Sequence, residues 1–291
     1  MNYLLVVACI FIFVFQTISF KEFNMSHMKN IASYFLFNFI YFSMVVLIVL
    51  ILGGFKGLKP HTLWFGMSFG ALFVGTILCY MKAMETGPLS YSALFFSFGL
   101  VVPILYGLFF WNETISTLQL VGLLLLLITF YIGNESTGED GEKKWGGKWL
   151  VFCVLAFLGN GALMVISKGH QIIMQGQDLI EFLIISFGTA AFISLLLFLW
   201  NYLRHRQDIK HFKSKSLAWV IMVAGVSTAI GNWLALILTT RIPSVVQYPS
   251  INGGTVFLST IASSVIYKEK LGRKAIIGLV VGLIALILLS L

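Results

Sequence analysis

Residues 85–92 read Glu85-Thr86-Gly87-Pro88-Leu89-Ser90-Tyr91-Ser92; they open an apolar run that contains Pro103, closes at Trp111-Asn112-Glu113 and is followed by Gln119-Leu120-Val121-Gly122. Residues 240–247 read Thr240-Arg241-Ile242-Pro243-Ser244-Val245-Val246-Gln247 and open a second run, closed by Lys268-Glu269-Lys270 and followed by Ala275-Ile276-Ile277-Gly278. Pro, Glu and Gly recur in the same order, offset by 155 residues at the proline and 156 at the other two. Such self-similarity marks an internal duplication. Both copies sit in apolar sequence, and duplicated bundles in a membrane are a common transporter architecture, with the substrate held where the repeats meet.

Composition places the chain in the bilayer. Of its 291 residues 59% are hydrophobic and 10% charged, with a mean hydropathy of +0.95, whereas soluble domains are about 25% charged. A span needs about 20 apolar residues as a helix, and the runs here have that length, not the roughly ten-residue alternation of a barrel strand. Ten runs can be drawn, approximately 3–20, 31–53, 62–84, 88–111, 117–134, 147–168, 178–202, 216–240, 243–267 and 273–291. The mixed-charge segment 135–148 divides them five and five, giving a first repeat over 1–134, a linker over 135–148 and a second repeat over 149–291.

The first run could be mistaken for a secretory signal, but no Lys or Arg precedes it and no small-residue cleavage pattern follows, so it reads as a retained helix. Cys9, Cys79 and Cys153 lie inside apolar runs without ligand spacing and read as packing residues. The net charge of +8 resides mainly in connections between runs, which argues against nucleic acid as a partner. Counting span-end residues with the nearest connection, 15 of the 19 Lys and Arg fall on odd-numbered connections. The positive-inside tendency then places both termini outside.

A short loop, an apolar span, a Glu at its exit and a Gly-containing closing span, twice in a ten-span chain, resembles the EamA family of the drug/metabolite transporter superfamily. The resemblance is strongest over residues 66–134 and 220–291. It implies an all-α integral membrane protein of ten transmembrane helices in two inverted five-helix repeats, with alternating access to a central cavity. Its members carry amino acids, other small metabolites, nucleotide sugars or lipophilic drugs, and the expected location is a bacterial plasma membrane. Asn112 and Lys268 stand before the two glutamates where Gly is frequent in the family.

Within that frame the ninth span is the most polar, with Gln247, Tyr248, Ser250, Asn252 and Thr255 beside the helix breakers Pro249 and Gly253-Gly254. A discontinuous helix is expected there, since proline removes a backbone donor and freed carbonyls are tolerated in lipid only against protein or a wet cavity. The alternative is an ordinary Pro-kinked helix with Gly at a close helix contact. The fourth span repeats the theme less densely, with Tyr91, Ser97, Gly99 and Pro103; its phenylalanines read as packing. Tyr80, Asn160, Asn232 and Trp233 complete the candidate substrate-binding set, with interhelical bonding as the alternative for the two amides, as for Gln16-Thr17. The set is therefore Tyr80, Tyr91, Ser97, Asn160, Asn232, Trp233, Gln247, Tyr248 and Asn252.

Ionisable groups are absent from span centres, where ion-coupled carriers often keep them. Lys82, Glu85, Lys168, Asp178, Glu181 and Arg241 lie near span ends and read as interfacial, while Glu113 and Glu269 read as caps or pins for the next helix. An enzyme is the first rival, but there is no HExxH, no Gly-x-Ser-x-Gly and no phosphate loop, and no catalytic group, metal or cofactor is expected. A channel or a membrane-bound assembly factor is the second rival; a channel is distinguished by flux that does not saturate. Amide and aromatic groups without a central charge suit a neutral, zwitterionic or cationic solute. Resting largely on the family resemblance, the reading is export of an amino acid or related metabolite by a monomer or homodimer in the lipid bilayer, with carriage of nucleotide sugars or lipophilic drugs as the alternative.

Overall fold

The computed structural model describes residues 2–28, 30–87, 89–133, 146–205, 215–268 and 273–291. Pro88, Glu269 and most of the 135–148 linker lie outside the described residues. Every regular element among the described residues is helical: α1 (Asn2–Glu22), α2 (Ile31–Gly53), α3 (Pro60–Thr86), α4 (Leu89–Phe98), α5 (Val101–Phe110), α6 (Thr117–Gly133), α7 (Gly147–Ile173), α8 (Leu179–His205), α9 (Lys215–Thr239), α10 (Ser244–Ile266) and α11 (Arg273–Ser290). A π-helical turn, Phe23–His27, extends α1.

Local chemistry sets several ends. Asn30 caps α2, its Oδ1 accepting from Ser33 N at 2.8 Å. Ser116 and Gln119 form a capping box at the start of α6, each side chain accepting from the other's amide at 3.1 Å. Pro60 opens α3, a position where its missing N–H costs nothing. The α7–α8 connection turns through Gln175, Gly176 and Asp178, all at positive φ.

Seven helical segments among the described residues are long and apolar enough to cross a membrane: Asn2–His27, Ile31–Gly53, Pro60–Thr86, Tyr91–Phe110, Gly147–Ile173, Leu179–Arg204 and Lys215–Thr239. Thr117–Thr129 and Ile276–Ser290 are apolar but shorter. The chain is thus an all-helical, multi-pass membrane protein.

The helices form two compact units, and each draws on both halves of the sequence. Apart from the first two residues, one comprises residues 3–74 and 170–237 and the other residues 75–169 and 238–291. In the first unit α2 packs along α8. Its core is aromatic, with Phe23 stacked on Phe37 at 3.8 Å and Phe42 beside Phe187 at 5.8 Å. Gln16 Nε2 donates to Thr228 Oγ1 at 2.5 Å and to Tyr41 OH at 3.3 Å, tying α1 to α9 and α2. Gln16 therefore serves as interhelical bonding. Cys9 is buried here, as Cys153 is in the second unit.

In the second unit α6 runs along α11, and α10 packs on α5, α6 and α11. Gly122 makes this possible: a Cβ there would meet Ala285 O, Leu288 Cβ and Leu289 N, each at 3.0 Å.

Two sequence expectations fail here. α10 is continuous through Pro249 and Gly253-Gly254, and it is the fourth span that breaks, between α4 and α5 at Gly99-Leu100. In α10 a Cβ on Gly253 would meet Leu126 Cδ1 at 2.9 Å and Leu286 Cδ2 at 3.1 Å, so this glycine serves close packing. Lys168 is the second correction. Instead of snorkelling to the interface it is 3% exposed and ion-paired to Glu113, because a partner carboxylate replaces the water it has lost.

Candidate substrate-binding site

The break in the fourth span follows from Pro103. Proline has no N–H to give the carbonyl four residues back, which is Gly99, and glycine resists helix formation by about 1 kcal/mol relative to alanine. The chain responds with tighter bonds: Gly99 N donates to Phe96 O at 3.1 Å, Leu100 N to Ser97 O at 3.5 Å and Val102 N to Gly99 O at 3.1 Å. Phe96 O consequently loses the Leu100 amide that a continuous helix would supply. Asn160 on α7 replaces it, donating Nδ2 to Phe96 O at 2.9 Å.

Small residues let α7 come this close. A Cβ on Gly99 would sit 2.9 Å from Asn160 Nδ2 and 3.0 Å from Phe157 O. Gly161 lies against the Val102 side chain and Gly99 O, and Gly159 against Thr76 of α3. Tyr80 of α3 packs its ring 4.6 Å from that of Phe96. Thus Tyr80 and Asn160 converge on the α4–α5 break. Ser97, beside it, donates to Ala93 O of its own helix at 2.9 Å. Tyr91 is half-buried, packed between the Leu94–Leu100–Ile104 cluster and the cluster around Trp149.

On α10, Gln247 is buried and Asn252 half-buried. Tyr248 donates its hydroxyl to Met164 O of α7 at 2.9 Å, so α7 serves both α4–α5 and α10. Seven of the nine sequence candidates lie in this unit. Asn232 and Trp233 lie in the other: Asn232 Nδ2 donates to Thr228 O of its own helix at 2.9 Å. Trp233 lines a cavity of about 410 Å³ with Lys56, Asp178, Ile180 and Glu181. Glu181, expected at the interface, is 5% exposed and accepts from Lys56 N at 3.0 Å. Lys82 and Glu85 form an exposed pair at 2.6 Å.

Sequence reasoning did not find the cluster at the start of α10. Glu113 Oε2 accepts from Ser244 N at 2.9 Å while Oε1 is ion-paired to Lys168, whose Nζ lies 3.4 Å from Ile242 O and 5.5 Å from the Trp111 ring centre. Glu113 caps a helix, as expected, but the helix is α10 and not the next one, α6. The discoverable signal was a Lys within a span and a Glu at a span exit, which only the fold could pair. Asn112 and Lys268, the residues before the two glutamates, share a left-handed backbone, φ 51 and φ 54. This is a conformation that glycine adopts without strain and other residues adopt rarely. No group of three or more potential metal-ligating side chains occurs among the described residues.

Residues 147–291 match the EamA-like transporter family. The chain belongs to that family. EamA-like proteins are part of the drug/metabolite transporter superfamily, so this is a transporter of the membrane. An uncharacterised protein of Haemophilus influenzae is 22% identical over 228 residues, 76% of this chain and 72% of that protein. Among solved structures, one crystal structure superposes with a TM-score of 0.74 at 15% identity, covering 100% of this chain and 98% of the other. At that identity the likeness concerns the fold of this EamA-like chain.

Proposed function

We propose that the protein is a secondary transporter that exports an amino acid or a related neutral, zwitterionic or cationic metabolite across the bacterial plasma membrane by alternating access. Ten membrane-crossing segments in two inverted repeats belong to the same reading. It is supported by family membership and above all by one observation, the interruption of the fourth span at Gly99-Leu100 with Asn160 of α7 bonded to Phe96 O beside it. A broken helix in lipid leaves polar backbone that only protein or a wet cavity can satisfy, and transporters place substrate at such breaks.

The groups at hand favour solutes without net negative charge. Lys168 is neutralised by Glu113, while Tyr80, Phe96 and Tyr91 offer ring faces and Gln247 and Asn252 amides. A thermal-shift screen of purified protein against amino acids, amines, nucleosides and sugars tests the class. Stabilisation by an amino acid or amine that is lost in Asn160→Ala and Gln247→Ala supports the reading; stabilisation by nucleotide sugars alone contradicts it.

A further inference from the structure

The cap on α10 joins the two sequence repeats. Glu113 lies in the first repeat and Ser244 in the second, and the 2.9 Å bond between them fastens the first turn of α10. The helix has no cap of its own: Pro243 precedes it without a side-chain bond, and no acidic residue occupies its first turn. A carboxylate there meets unsatisfied amides and the positive end of the helix dipole. Lys168 holds the same carboxylate from α7 and reaches Ile242 O just before α10. Gly107 of α5 leaves room for it, since a Cβ at that position would strike the Glu113 carboxylate.

We propose that Glu113 and Lys168 are positioning residues that latch the first turn of α10 to α7 and to the α5–α6 connection, and that opening this latch is a step of the transport cycle. The inference rests on the transporter reading above. One carboxylate gathers a helix start, a buried ammonium and an irregular connection bent through the left-handed Asn112, so rotation of one side chain frees all three. Gln247 and Tyr248 follow Ser244 by about one helical turn, so a shift of that turn carries both with it.

The test uses the full chain in liposomes, with its three cysteines replaced by serine and a single cysteine placed by Val245→Cys, a buried position. Labelling by a membrane-impermeant maleimide should be about tenfold faster in Glu113→Gln and in Lys168→Met, the scale of losing a charge-assisted bond. The double variant Glu113→Gln/Lys168→Met buries no unpaired charge, so it should fold and still label faster. With a mixture of the twenty L-amino acids, the variants should change the maximum exchange rate of the folded carrier more than KM. Wild-type labelling rates in all three variants, or an unchanged maximum rate per folded molecule, would overturn the latch. Absence of exchange by the parent protein would instead count against the transporter reading, leaving the labelling result to judge the latch alone.

Discussion

Asn160 supplies the donor that Phe96 O loses when the fourth span breaks. Removing it leaves Phe96 O with only the Gly99 amide, so Asn160→Ala should lower stability by about 1 kcal/mol, read as the thermal midpoint in detergent. Tyr248→Phe, which deletes one bond to Met164 O, should cost about 1 kcal/mol. Lys168→Met alone leaves Glu113 without its counter-charge and should cost about 3–5 kcal/mol, whereas adding Glu113→Gln should recover much of that loss. If the single and double variants melt alike, the pair contributes little. At this scale the sequence was partly legible. Asn160 stood out because an amide in hydrocarbon must find a partner, but which partner depended on the backbone break. Lys168 was misread because its distance from the span end permits snorkelling equally well, and only the arrival of Glu113 from 55 residues away decides otherwise.

The elements show why counting breakers along a span misplaces a discontinuity. Pro249 sits in the second turn of α10, in a stretch buried from Ser244 through Pro249, and packing carries the helix past it. Pro103 instead points its missing donor at Gly99, the residue least able to hold helical geometry. Pro103→Ala should therefore let the fourth span become continuous, raising the thermal midpoint while lowering transport. A variant that transports at the parental rate would separate the break from function. Gly122 tests the opposite kind of glycine, one needed for contact. Gly122→Leu would push into the α11 backbone at Ala285 and Leu289 and should destabilise by about 1–3 kcal/mol.

For the whole molecule, the duplicated Pro, Glu and Gly led to the family because their spacing survives divergence of everything between them. Seven of the spans were legible from apolar length, which the bilayer dictates. The packing units were not. They take α1, α2, α8 and α9 into one and α4, α5, α6, α10 and α11 into the other, with α3 and α7 contributing to both, an arrangement that contacts between distant segments create and composition does not record. Asn112 and Lys268, each before one of the two glutamates, share a left-handed backbone. Carrier-mediated exchange is what separates a transporter of this kind from a channel. Purified protein in liposomes preloaded with the twenty L-amino acids, read by mass spectrometry after external addition of each in turn, tests it most directly. The expected result is saturable efflux of at least one amino acid, accelerated by the same solute outside and reduced by Asn160→Ala. Flux that rises linearly with concentration and ignores the opposite side, or no exchange of any amino acid, would contradict it.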